Sequence, residues 1–506
     1  MKKKKLMAQV PLTLLLFFAT VCNGETALAA AGVEGIEEKI SWQEQLSAYP
    51  LPDIKEAATN GTGNQEELSA EALSEWWTLF HDDTLTELIN QALRQNKTIE
   101  AAEARVRESR EALGIKKSAL LPWLDGTGSV KRDQVSENSP YVGQRGYHTD
   151  YRLGIDATWE IDVFGRQREN VRAASLDLRA RHGELYAAWV RLSAEVAMNY
   201  VTLRALQERL AVAEEQVEAQ ENAVELLGYR RSSGLADELP LTQAKYTLEQ
   251  TKAILPELRA SIGETMNRLT VLTGDVPGTW DERLSVTAPV PQIPGGMYAK
   301  IPVETLRQRP DLYAAEQRYR AQIARTKAAK RELLPKISLF GSLGWESGGT
   351  GSFFSLGSRG FSLGPSISIP IFHAGAIRRN IKAQSEKESE LLADYENCVL
   401  NATAEVRDSL TAIHEERERK DSLQRGKEAA GDALELARNR YQSGLTDYQS
   451  VIDARRSLLK LQDDYIMSCG QEAVDLVGLF KALGGGWRPM EEKELRAAES
   501  EKTGRK

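Results

Sequence analysis

Two hydrophobic periods follow one another along the chain, and they do so twice. Tyr151, Leu153, Ile155, Ala157, Trp159 and Ile161 alternate with Arg152, Gly154, Asp156, Thr158, Glu160 and Asp162, the period of two that gives a strand one apolar and one polar face. Phe361, Leu363, Ile367 and Ile369 repeat this against Ser362, Gly364, Ser366 and Ser368. Two more strands are predicted to begin at Trp123 and at Ile337, the latter with Leu339, Leu343 and Trp345, each joined to its successor by a polar or Gly/Ser-rich loop. Between Arg168 and Tyr229 the period lengthens. There Leu203, Leu206, Leu210, Ala213, Val217, Val224 and Leu227 keep heptad-like spacing and no proline intervenes. One helix of roughly 90 Å is predicted, with a slightly longer twin from Arg378 to Tyr441. A helix of that length cannot bury its stripe inside a compact globule, so it must lie along other long helices.

The twinning is a duplication at long period. Ala101-Ala102-Glu103 recurs as Ala314-Ala315-Glu316 and Leu120-Leu121-Pro122 as Leu333-Leu334-Pro335, 213 residues later. Leu153-Gly154, Glu195-Val196 and Ser233-Gly234-Leu235 recur as Leu363-Gly364, Glu405-Val406 and Ser443-Gly444-Leu445, 210 residues later. Each half reads helix, Leu-Leu-Pro, two strands, very long helix, Ser-Gly-Leu turn, helix. The fold class expected is therefore mainly α with a β part. The expected domains are a signal peptide at 1–29, an N-terminal periplasmic segment at 30–84 and a first repeat at 85–290 with strands at about 123–132 and 149–161. A second repeat follows at 291–487, with strands at about 336–346 and 359–370, and then a charged, disordered tail at 488–506.

The N-terminus supplies the compartment. Lys2 to Lys5 precede an apolar run from Leu6 to Val21 that is short for a permanent anchor and reads as a secretory signal. Small residues at Ala27-Leu28-Ala29 offer a cleavage site. Cys22, after Ala19, Thr20 and Val21, offers a competing lipidation site, which the branched Val21 disfavours. Cys398 and Cys469 then remain, on helices flanking the reversal at Gly444, roughly 30 Å apart and beyond disulfide reach.

Composition removes other classes. The net charge of −8 comes from interspersed acids and bases, so no basic face exists for nucleic acid. His81, His148, His182, His373 and His414 lack zinc-ligand spacing, and no nucleophile elbow or phosphate loop is present; no cofactor is expected. Strands of about ten residues with Trp123, Trp159 and Trp345 near their ends, behind a signal peptide, suit an outer-membrane barrel and its aromatic girdles. Four strands cannot close a barrel, and a membrane tolerates no open edge, so several chains must share one.

On these residues the chain resembles the TolC-type outer-membrane factor family, in its OprM-like (NodT-type) branch that serves resistance-nodulation-division pumps. The matching pieces are Trp76-Trp77 with Phe80, Asp83 and Leu85; Leu120-Leu121-Pro122; Trp159-Glu160-Ile161-Asp162 with Phe164-Gly165; both Ser-Gly-Leu turns; and Leu483-Gly484-Gly485-Gly486-Trp487. The resemblance implies a homotrimer, a twelve-stranded membrane β-barrel with four strands per chain, and a trimeric α-barrel tunnel. It also implies a non-enzymatic exit duct for small molecules whose partners are a periplasmic adaptor, an inner-membrane transporter and outer-membrane lipid. By the same resemblance, Gly234, Leu235, Gly444 and Leu445 are the adaptor-docking tips. Asp453 matches one acidic place of the periplasmic gate and Tyr441 is retained, whereas Ser450 stands where an acid is expected and Thr446 where a basic tie often sits. An exit channel for protein secretion, or a periplasmic coiled-coil scaffold, would share the long helices and the signal. The scaffold would not need the amphipathic hairpins.

Overall fold

A computed structural model describes residues 73–135, 146–234, 237–292 and 308–487. The signal peptide with Cys22, most of the N-terminal segment, Leu235 and the charged tail lie outside the described residues. Those described fall in one compact unit, Ile54–Lys506. A 3-10 turn, Trp76–Phe80, leads into α1 (Asp83–Gln95), α2 (Lys97–Ser118), β1 (Trp123–Val135), β2 (Gly146–Ile161), α3 (Arg166–Ser232) and α4 (Glu238–Thr273). A short α5 (Asp281–Leu284) precedes α6 (Pro310–Arg331), β3 (Lys336–Ser347), β4 (Arg359–Ser368), α7 (Ala376–Gln442) and α8 (Tyr448–Ala482).

The duplication is visible in the lengths. Helices α2 and α6 have 22 residues each, and α3 and α7 have 67 each. The second long helix is therefore equal to the first and not longer, because it ends at Gln442 by the same glycine turn that ends its twin. At 1.5 Å per residue each spans about 100 Å. Strands β1 and β2 run three residues further into their shared loop than the alternation suggested, because the ladder continues to the pair Val135 and Gly146. Strand β4 stops at Ser368, ahead of Pro370, whose ring nitrogen cannot donate to a ladder.

Capping residues place the joints. Asp82 accepts from the Leu85 amide (2.9 Å) and also from the Tyr200 hydroxyl (2.6 Å), tying the start of α1 to the middle of α3. Burial raises Tyr200 to about pKa 12, and its bond to Asp82 adds to the rise, so it stays a donor. Asn96 caps α2 through the Thr98 and Ile99 amides while its own amide donates to Leu272 O at 2.9 Å, which holds α2 to the end of α4.

The main core joins the two ends of the recognisable region. Trp76 is fully buried and stacks on Phe480 at 5.3 Å, and Trp487 stacks on Tyr186 at 4.8 Å. Between them Gly485 allows close approach, since a Cβ there would meet Leu73 O and Phe480 O at about 3 Å. Arg309, 7% exposed, fastens this region by donating to Asp311, Glu405 and Ala482 O at 2.8 Å. Cys398 and Cys469 are both free thiols, and burial pushes both thiol pKa values up.

Candidate functional site

The four strands form one antiparallel sheet in the order β1-β2-β3-β4. Its register aligns Leu124 with Ala157, Ile155 with Leu343, Leu343 with Phe361, and Ile161 with Ile337 and Ile367. One face is thus apolar across all four strands. It has no cover among the described residues: Leu124 is 71% exposed, Leu343 64%, Phe361 83% and Leu363 72%. The opposite face is polar, with Asp156 accepting from Thr127 (2.9 Å) and from Arg152 (3.4 Å), which also reaches Ser342. Neither β1 nor β4 has a second strand partner among the described residues, so both edges present unpaired backbone.

Register corrects one aromatic. Trp159 and Trp345 share the apolar face near opposite ends of the sheet, as a pair of girdles would require. Trp123 does not. It lies opposite Thr158, on the polar face, and one strand further along the same row stands Phe340. The strand alternation of β1 is broken by Gly126 and Gly128, so its sequence did not reveal which face Trp123 takes.

At the far end of the long helices the two turns superpose in design. Gly234 has φ 71° and Gly444 φ 70°, the left-handed conformation that ends a helix. Their amides donate back to Arg231 O (2.9 Å) and Tyr441 O (3.0 Å), and Leu445 N closes the second turn on Arg440 O at 2.9 Å. Leu445 is 69% exposed. Asp447 caps α8 by accepting from the Ser450 amide and hydroxyl, whereas the equivalent Asp237 makes no side-chain cap; Arg231 pairs with Glu238 across that turn instead.

Just behind the tips a small cluster of Leu227, Leu241, Leu434, Tyr448, Val451 and Ile452 joins α3, α4, α7 and α8. The four residues expected at the gate separate here. Tyr441 packs edge-on against Tyr448 at 5.1 Å, with the Arg230 guanidinium 5.6 Å over its ring, so it ties α7 to α3. Thr446 and Ser450 bond one another at 2.9 Å within one turn, and among the described residues neither side chain makes a hydrogen bond to another helix. Asp453 is exposed and accepts from Gln449 at 2.9 Å.

Two cross-helix ties were not anticipated. Arg456 donates to the Tyr246 hydroxyl (3.1 Å), and Arg455, 8% exposed, donates to Ala219 O (3.3 Å). The available signal was an arginine on the stripe formed by Ile452, Leu459 and Ile466, where an apolar residue is the norm.

Among the described residues no helix is long and apolar enough to cross a membrane, and no group of side chains could hold a metal ion. The pattern described as outer membrane efflux protein matches residues 88–275 and 301–485. Outer membrane protein OprJ of Pseudomonas aeruginosa is 28% identical, over 87% of this chain and 91% of that protein. The toluene efflux pump outer membrane protein TtgF of Pseudomonas putida is 30% identical, over 83% and 87%. Among solved structures, the outer-membrane channel OprN superposes with TM-score 0.80 at 30% identity, covering 86% of this chain and 96% of that one. The Campylobacter jejuni CmeC outer membrane channel does so with TM-score 0.80 at 25% identity, covering 90% and 96%. An apolar strand face on an open sheet, continued by twin helices of about 100 Å and matched along both repeats, places this chain in the outer membrane efflux protein family, as the outer-membrane channel component of a tripartite efflux pump.

Proposed function

We infer that three copies pool their sheets into one twelve-stranded barrel in outer-membrane lipid and continue it as a helical tunnel through the periplasm. The repeats at 85–290 and 291–487 then contribute one hairpin and one helix pair each. The observation that carries this reading is the sheet. Its exposed apolar face would gain about 1.5–3 kcal/mol per large side chain on leaving water. Its two unpaired edges would cost several kcal/mol per amide group in lipid unless a neighbouring copy supplied β1 to β4. Strands of 10 to 16 residues suffice to cross, tilted.

The duct does no chemistry of its own. Cargo moves through it under force from an adaptor and an inner-membrane transporter of the resistance-nodulation-division kind. The tips at Gly234, Leu235, Gly444 and Leu445 are its docking points, and Asp453, Tyr441, Ser450 and Thr446 stand at the gate. Three Asp453 carboxylates converging on the axis would repel one another or gather cations. The names of the relatives, which include toluene, solvent and antibiotic efflux proteins, support small organic compounds as cargo.

The test is expression in a host lacking its own efflux channels. The protein should fractionate with outer membranes as a heat-modifiable trimer and, with its cognate pump, restore resistance to dyes and solvents. A water-soluble monomer that needs no detergent would overturn the reading.

A further inference from the structure

Between α3, α4 and α8, just behind the cluster at the tips, lies a cavity of about 310 Å³. Its walls are apolar at Val212, Ile254 and Leu258, and polar at Thr247 and Thr251. At its tip-facing end a smaller void shares Gln220, Thr247 and Arg455 with it.

Two side chains there are poorly served by the protein alone. Gln220 is 4% exposed, and neither its amide nitrogen nor its amide oxygen has a hydrogen-bond partner. A buried amide left unpaired has lost its water without gaining a partner, which destabilises the fold. Arg455 is 8% exposed and has one hydrogen bond, to Ala219 O, and no carboxylate partner among the described residues. Burial pulls its pKa below the usual arginine value, since the charge has lost water without gaining an anion. The other charges lining the cavity are Arg209, Arg456, Lys460 and Asp463, and Asp463 is already engaged by Arg209 at 2.5 and 3.1 Å. The balance facing the cavity is cationic.

We propose that this cavity is a binding site for a small organic carboxylate, its oxygens held by Arg455 and the Gln220 amide and its apolar body seated against Val212, Ile254 and Leu258. The arrangement answers the Arg455 deficit and half of the Gln220 one: the carboxylate supplies the anion that Arg455 lacks and an acceptor for the Gln220 N–H, while the Gln220 amide oxygen still faces no donor. Volume sets the scale of the guest. About 300 Å³ is the lower bound for ligand pockets, so a carboxylate of one ring or a short chain fits and a bulky drug does not. A bound guest would bridge three helices drawn from both long pairs, close to the turns that end them.

The experiment uses the full mature protein in lipid nanodiscs, with benzoate as probe and benzamide and inorganic phosphate as controls, followed by calorimetry and thermal unfolding. Benzoate should bind saturably and raise the unfolding temperature, and both controls should bind at least about tenfold more weakly. Arg455→Gln should weaken benzoate by roughly 10–100-fold with the trimer intact. Gln220→Leu should weaken benzoate too, yet unfold at a higher temperature than the parent when no ligand is present, because it removes an unpaired buried amide. Absence of saturable benzoate binding would overturn the proposal. So would benzamide or phosphate binding as well as benzoate, or benzoate affinity unchanged in both variants. None of these outcomes bears on whether the chain is an efflux channel, since resistance assays read that separately.

Discussion

Gly444 allows folding and docking to be separated by side-chain size. At φ 70° it lies in the left-handed region, where an L side chain costs about 1–2 kcal/mol and Asn is the best tolerated. Yet a Cβ built there meets no atom within 4 Å among the described residues beyond its chain neighbours. The turn is exposed and the Cβ position is open, so the penalty expected there is one of backbone conformation. Gly444→Asn, Gly444→Ala and Gly444→Trp should all form trimers, with losses in stability of at most about 2 kcal/mol and no steep rise from Ala to Trp. If an adaptor covers the turn, the outcome for export differs: a central contact displaced by an indole is worth about 2 kcal/mol or more, some thirtyfold in affinity. We expect Asn to retain export, Ala to reduce it modestly and Trp to abolish it, read as dye and antibiotic susceptibility in a channel-deficient host. Adaptor cross-linking should fall in the same order while trimer melting stays level. Export that survives Trp, or that fails equally with Ala and Trp in step with melting, would refute the docking argument.

Further outcomes follow from other ties. Asp453→Ala should raise single-channel conductance if its three copies narrow the entrance, and unchanged conductance would mark it as a solvated helix charge. Arg309→Met should destabilise the protein by about 2–4 kcal/mol in chemical denaturation, since it strands Ala482 O and two carboxylates, the figure being discounted because Glu405 is 56% exposed. Burial alone would raise the Glu472 carboxyl, but hydrogen bonds from Lys420 and Arg417 outweigh it and hold its pKa below the usual range. Its contribution to stability is then present above the ordinary glutamate pKa and lost as pH falls through the depressed one. The denaturation midpoint should drop on acidification below about pH 4.5 in the parent, and Glu472→Gln should blunt that drop; equal slopes would exclude the Arg417-Glu472-Lys420 tie.

What the sequence determined by itself is whatever depends on period and on backbone restriction. Alternation placed β2 and β4, with β1 and β3 predicted beside them from their starts and loops. Heptad spacing and the lack of proline placed the long helices, and glycines in the Ser-Gly-Leu turns fixed where those helices end, because few residues but glycine adopt φ near 70° at low cost. The register of the sheet was partly legible, since a slip of one residue would exchange the two faces. Tertiary structure decided whatever depends on neighbours distant in the chain. It set Trp123 on the polar face through its pairing with Thr158, which the alternation of β1, unmarked at Gly126 and Gly128, did not reveal, and it gave Tyr441 its tie through Arg230, some two hundred residues away in sequence. It also buried Arg455 and Gln220 behind the tips. Arg455 is buried where helices from both repeats converge, and no local pattern records that convergence.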